Sequence, residues 1–191
     1  MIESKWYELN IELKGIKPRI WRSFAVDCNI TLPNLHKVIQ TIMGWSNSHL
    51  HQFLKSDIIF SLPDEEGFID SINYLNIRLL EVLKKVGDNI IYEYDFGDGW
   101  EHELRLIKIR DDIDSKHPFC INGERNCPPE DCGGAPGYKE LLKSLKNPNK
   151  NDYKEIIEWI GYDYHPEIFN INKINKLLKK KDYGCIVLDY Y

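Results

Sequence analysis

The stretch Ile91-Tyr92-Glu93-Tyr94-Asp95-Phe96-Gly97-Asp98-Gly99-Trp100-Glu101-His102-Glu103-Leu104 leaves the chain few options. Tyr92, Tyr94 and Phe96 alternate before a glycine-rich centre, and Trp100, His102, Leu104 and Leu106 alternate after it. That period of two belongs to strands with one face turned to a core. Two such arms around Gly97-Asp98-Gly99 predict a β-hairpin, with both glycines supplying the positive φ of a tight reversal. The other faces carry Glu93, Asp95, Glu101 and Glu103. So acidic and aromatic a hairpin suits a metal or substrate platform, and equally a well-punctuated turn.

Around it the periodicity switches twice. Trp6 to Leu13 alternates as a half-buried strand, Gly15 and Pro18 interrupt, and Ile20 to Val26 resumes the pattern, which predicts a second hairpin. From Thr31 to Gly44 the apolar residues Leu35, Val38, Ile39, Ile42 and Met43 recur at helical spacing and end at a glycine. His49 to Leu54 and Ile58 to Phe60 read as further strands, and Leu62 to Asp70 as an acidic loop. Asn76 to Val86 reads as a helix capped by Gly87. Residues 110 to 137 look irregular, rich in cysteine, proline and glycine, and a connection that long is usually functional, metal-clipped or poorly ordered. Gly133 to Gly137 predicts a sharp turn into a helix at Tyr138 to Leu145, followed by helices at Tyr153 to Ile160 and Ile171 to Leu178, and a strand or docked tail at Tyr183 to Leu188. The expectation is one α+β domain across residues 1–191, a mostly antiparallel or mixed sheet covered by helices, with a helical C-terminal third.

Charge narrows the function. A net charge of −5 argues against non-specific nucleic-acid binding, which needs a dense cationic surface. Lys173, Lys176 and Lys179-Lys180-Lys181 form the only basic cluster, at a helix end. The N-terminus lacks the apolar core of a signal peptide and no stretch reaches membrane-span length, so a cytoplasmic protein without a membrane partner is expected. Five cysteines without an export signal point to reduced thiols or metal ligands. Cys28 and Cys185, alone among apolar residues, read as small buried hydrophobes.

Three sets of side chains can carry chemistry. Asp95, Asp98, His102, Glu130 and Asp131, with His36, His49 or His51 nearer the N-terminus, combine carboxylates and imidazoles. Such donors suit Zn, Mg, Mn or Fe, and a bound divalent ion activates water for hydrolysis of a phosphoester or an amide. Turn carboxylates also cap their own backbone N–H groups, and His102 can simply pack beside Trp100. An inward histidine below an acidic turn is the group whose pKa should shift most. His117, Cys120, Cys127 and Cys132 form the second set, a structural zinc clip, although paired Cys-x-x-Cys knuckles are missing. Trp21, Trp45, Tyr92, Tyr94, Trp100 and Tyr138 form the third, either a stacking groove or core.

Lys17-Pro18-Arg19-Ile20-Trp21-Arg22, Leu35-His36, Gly44-Trp45, His49-Leu50, Phe53, Tyr94-Asp95-Phe96-Gly97-Asp98 with Trp100 and His102, Cys120 with Gly123, Pro128-Pro129-Glu130-Asp131, Gly133-Gly134 and Tyr138 together resemble the plasmid pRiA-type ORF-three-like family. That family also carries the label of an insertion-element passenger, TnpR-like. The resemblance runs in order over nearly the whole chain and implies a mobile-element passenger. A serine recombinase would need an activated serine among arginines and a DNA-reading helix-turn-helix, and this acidic chain has neither in recognisable form. The reading is therefore a mobile-element-associated binding or accessory module for a protein or small-molecule partner. Its surface lies at the Asp95–His102 hairpin and the Pro128–Gly134 segment. The alternative is a metal-dependent hydrolase built on the acid and histidine set.

Overall fold

Eight strands form one sheet in the order β5-β4-β3-β6-β7-β1-β2-β8. The computed structural model describes residues 5–63, 70–149, 153–160 and 164–186. The strands are β1 (Trp6–Leu13), β2 (Trp21–Asp27), β3 (His51–Lys55), β4 (Ile58–Ser61), β5 (Ile72–Asn73), β6 (Asn89–Tyr94), β7 (Trp100–Arg110) and β8 (Phe119–Glu124). All pairings are antiparallel except β4 with β5, so the sheet is mixed. The helices are α1 (Leu32–Met43), α2 (Leu79–Val82), α3 (Gly134–Leu145), α4 (Tyr153–Ile160) and α5 (Ile171–Leu177). The expected α+β class is what the chain adopts.

The organising hairpin forms with Tyr94 opposite Trp100, Tyr92 opposite His102 and Ile90 opposite Leu104. Those six residues are buried, as the alternation requires. β7 then pairs on its other edge with β1, so the most regular part of the sequence occupies the middle of the sheet. Helix α1 lays Leu35, Val38, Ile39, Ile42 and Met43 into the same apolar cluster as Leu9, Ile11, Phe53, Tyr92 and Leu104. It stops at Gly44, whose φ of 95° and N–H to Gln40 carbonyl bond at 2.8 Å make a left-handed helix end.

Several expectations need correction. The helix over Asn76 to Val86 shrinks to Leu79–Val82, because Leu79 and Leu80 give their N–H groups to the carbonyls of Ile30 and Cys28 at 2.9 and 3.0 Å instead of waiting in a helix. The irregular connection contains an edge strand, β8, paired with β2. Its Gly123 breaks the sequence pattern for a packing reason: a Cβ there would lie 2.7 Å from the Arg22 side chain and 2.8 Å from the Phe169 ring. Helix α3 begins at Gly134, four residues before Tyr138. Of the tail expected at Tyr183 to Leu188, the described part holds a short 3-10 helix, Lys181–Gly184, laid on α1, and Leu188 lies outside the described residues. Most of the acidic loop after Leu62 also lies outside them. Cys28 is buried as expected, but Cys185 is only half-buried. None of the described helices is long and apolar enough to cross a membrane.

Candidate functional site

Three loops meet at the turn of the central hairpin: residues 44–50 after α1, residues 95–99 between β6 and β7, and residues 127–133 before α3. Each is tied by its own side chains. Glu130 accepts the Tyr94 hydroxyl at 2.5 Å, and also the Ser46 N–H and hydroxyl. Burial, and then the Glu130 carboxylate, push the Tyr94 phenol far up, so it remains a donor. The Trp45 indole N–H donates to the Pro128 carbonyl at 3.0 Å, and its ring stacks on Tyr94 at 4.9 Å. Gly133 donates its N–H to Asp98 Oδ2 at 3.2 Å. A Cβ on Gly134 would stand 2.5 Å from the Asp98 carbonyl oxygen, so only glycine lets α3 begin against the hairpin turn.

The turn differs from its expected geometry in a way that matters. Positive φ falls on Asp95 (59°) and Gly99 (65°), not on Gly97. Aspartate tolerates the left-handed region better than most residues, because its short side chain can bond locally. Here Asp95 Oδ1 accepts the N–H groups of Gly97 and Asp98 at 3.0 and 3.2 Å. The other oxygen, Oδ2, is thereby aimed at His49, with Nε2 at 3.7 Å. Asp131, at a φ of 58°, brings its Oδ1 to 3.4 Å from the same nitrogen. The three groups offer ligand atoms that all lie within 4.8 Å of one another, and they are the only such trio of His, Cys, Asp or Glu among the described residues.

The remaining candidates go elsewhere. Asp98 serves as the clamp on Gly133. His102 is wholly buried against Trp45 and Tyr92, with Nδ1 3.1 Å from the Tyr92 carbonyl, which makes Nδ1 the protonated nitrogen and leaves Nε2 an unpaired acceptor. Burial pulls its pKa down to about 4. His36 and His51 stack on each other with centroids 3.4 Å apart and planes 4° from parallel. Gln40 Nε2 donates to the Tyr92 hydroxyl at 2.9 Å, and the hydroxyl sits 2.8 Å from His36 Nδ1, so His36 carries its proton on Nε2 and gives it to Asn47 Oδ1 at 2.7 Å. Burial holds His36 at about 4 and His51 well below its ordinary value. His117, Cys120, Cys127 and Cys132 are not gathered: His117 is exposed, the Cys120 thiol faces the Ser23 carbonyl, and Cys127 lies between Arg22 and Met43. Burial pushes the Cys120 and Cys127 thiols up to about 11, and burial with Asp98 pushes Cys132 up to about 12.

A cleft of about 410 Å³ opens beside Asp131. Trp45, Pro128, Pro129, Trp159 and Ile160 form its apolar wall, and Ser46, Glu130 and Asp131 its polar rim. Trp159 stays 50% exposed there, and Leu50 and Phe96 stand exposed beside the turn. Nothing in the local sequence marks Ser46 or Trp159, since Ser46 sits in an ordinary turn and the α4 spacing is that of an amphipathic helix. Of the six aromatic candidates for a groove, Trp45 alone lines this cleft, while Tyr92, Tyr94, Trp100 and Tyr138 are core.

A family model described as "Plasmid pRiA4b ORF-3-like protein" matches residues 5–173. The uncharacterized protein y4hQ of Sinorhizobium fredii (strain NBRC 101917 / NGR234) is 36% identical over 170 residues, covering 88% of both chains. Among solved structures, the protein of unknown function MM3350 from Methanosarcina mazei Go1 superposes with a TM-score of 0.76 at 33% identity, covering 88% of this chain and 97% of its own.

Proposed function

The chain belongs to the plasmid pRiA4b ORF-3-like family, and from that premise we propose that it is a binding module whose working surface is the junction of the Asp95–His102 turn with the Pro128–Gly134 segment. The observation that supports this is the cleft between Trp45, Pro128, Pro129, Trp159 and Ile160, with Glu130 and Asp131 at its edge. Its volume, about 410 Å³, falls in the range of small-molecule pockets, roughly 300–1,000 Å³, and it pairs an apolar wall with a few fixed polar groups. The exposed side chains of Trp159, Leu50 and Phe96 extend that apolar character beyond the rim, as an interaction surface does. The occupant is a small molecule, or a short side-chain cluster of a protein, that sets an apolar face on Trp159 and polar groups on the Ser46, Glu130 and Asp131 rim. The plasmid in the family's description is what supports an accessory role on a mobile element.

The test is a ligand panel read by the indole N–H signals of Trp45 and Trp159 in a two-dimensional NMR spectrum. Binders should shift both signals and lose affinity in Trp159→Ala. Binders that map instead to the separate pocket lined by Trp6, Asn34 and Tyr183 would count against the reading. A second reading, the metal-dependent hydrolase, is favoured by one observation: His49 meets Asp95 and Asp131 beside that cleft. Turnover of phosphoester or amide substrates with added Mn²⁺ or Zn²⁺ tests it, and rates equal to the Asp95→Asn variant retire it.

A further inference from the structure

We propose that His49, Asp95 and Asp131 form a divalent-cation site at the mouth of the cleft, independent of what the cleft itself binds. Asp95 carries the argument furthest. Its side chain is only 9% exposed, and the nearest basic group is the His49 ring. A buried carboxylate is costly unless a countercharge meets it. The two N–H bonds to Oδ1 hold the carboxylate in one orientation and leave Oδ2 pointing at the gap.

His49 Nε2 faces the same gap. It is shielded from solvent and has no hydrogen-bond partner among the described residues, although Asp95 Oδ2 and Asp131 Oδ1 stand 3.7 and 3.4 Å away. Three electron-pair donors thus converge with no hydrogen aligned between them. Ligands about 2.1 Å from a tetrahedral metal lie about 3.4 Å from one another; the two distances to His49 Nε2 match that edge, and the two carboxylates, whose ligand atoms lie within 4.8 Å of each other, would draw together around an ion. Outer contacts of the kind that orient metal ligands are in place as well. The Gly97 and Asp98 N–H groups hold Asp95 in this way.

The donor set defines the ion class. One imidazole and two carboxylates suit Zn²⁺ or Mn²⁺, whereas Ca²⁺ calls for six or more oxygens. Three protein ligands leave at least one coordination position of a four-coordinate ion open. The site is therefore built to hold an exchangeable water or an anionic ligand group, not to close a loop as a structural zinc does.

The experiment uses the full chain, stripped with chelator and titrated separately with Zn²⁺ and Mn²⁺ in equilibrium dialysis with elemental analysis. The imidazole nitrogens are followed by ¹⁵N NMR. The expected result is one ion per chain, a metal-induced shift of His49 Nε2, and affinity lowered on the order of 100-fold in His49→Gln and Asp95→Asn. Asp131→Asn should fall likewise, and because that side chain is 70% exposed the variant folds whatever happens to the other two. The exposed Asp112→Asn should bind as the parent does. No bound ion, an ion retained by all three variants, or a His49 Nε2 signal that Zn²⁺ leaves unmoved, would overturn the assignment. Trp159→Ala separates this site from the binding-module reading, since it should lose cleft ligands and keep the metal.

Discussion

Acidification tests the buried core directly. His36 and His102 are buried and His51 is half-buried, and the loss of solvent around each ring lowers its pKa, to about 4 for His36 and His102. In the unfolded chain each returns to about 6.5. Between those values the unfolded state takes up protons that the folded state refuses, so the stability these groups contribute is present above about pH 6.5 and is lost as pH falls toward 4. At pH 5 the loss is roughly 2 kcal/mol each for His36 and His102, or about 4 kcal/mol together, before His51 adds its share. That is a large part of the 5–15 kcal/mol typical of a domain. Urea unfolding at pH 7.5, 6.5, 5.5 and 5.0 should show a falling free energy whose slope corresponds to between two and three protons per molecule. The lowered carboxyls of Asp88, Asp112 and Asp182 enter only at lower pH, near or below about 4. His102→Phe should reduce the slope by about one proton. Stability unchanged from pH 7.5 to 5.0, or a slope that His102→Phe does not move, would refute the reasoning.

Other perturbations have equally definite outcomes. Gly137→Ala puts a Cβ 1.8 Å from the Cys132 carbonyl oxygen, and should destabilise by several kcal/mol or prevent accumulation of folded protein, seen in a thermal melt. Tyr94→Phe removes the O–H that Glu130 accepts and should cost about 1–3 kcal/mol by urea titration, with Ser46 resonances disturbed. Asn175 covers the free edge of β8, accepting the Cys120 N–H at 2.7 Å and donating to the Cys120 carbonyl at 2.9 Å. Asn175→Ala should therefore speed hydrogen exchange at the Cys120 amide and cost about 1–2 kcal/mol, while leaving the Tyr92 amide in the centre of the sheet protected.

What could be read from the sequence is what depends on neighbours along the chain. The Tyr92, Tyr94, Trp100, His102 and Leu104 alternation specifies a hairpin because side chains two apart share a sheet face, and the α1 residues specify a helix because three- and four-residue spacing shares another. The junction of the hairpin turn with the Pro128–Gly134 segment was visible as two acidic, glycine-marked stretches. Their contact was not, because it depends on Asp98 meeting Gly133 across the fold. Helix α2 failed as a pattern because distant carbonyls of Cys28 and Ile30 capture its N–H groups, and β8 was hidden because its glycine answers to Arg22 and Phe169.

The donor trio shows the division most clearly. Asp95 and Asp131 belonged to the acidic set, and His49 was one of three interchangeable histidines. Only the tertiary structure sends His36 and His51 into a stacked, neutral pair and His49 to the carboxylates. Local sequence determines periodicity and turn chemistry. Which imidazole meets which carboxylate depends on loop ends brought together from three separate parts of the chain by a sheet whose strand order does not follow the sequence.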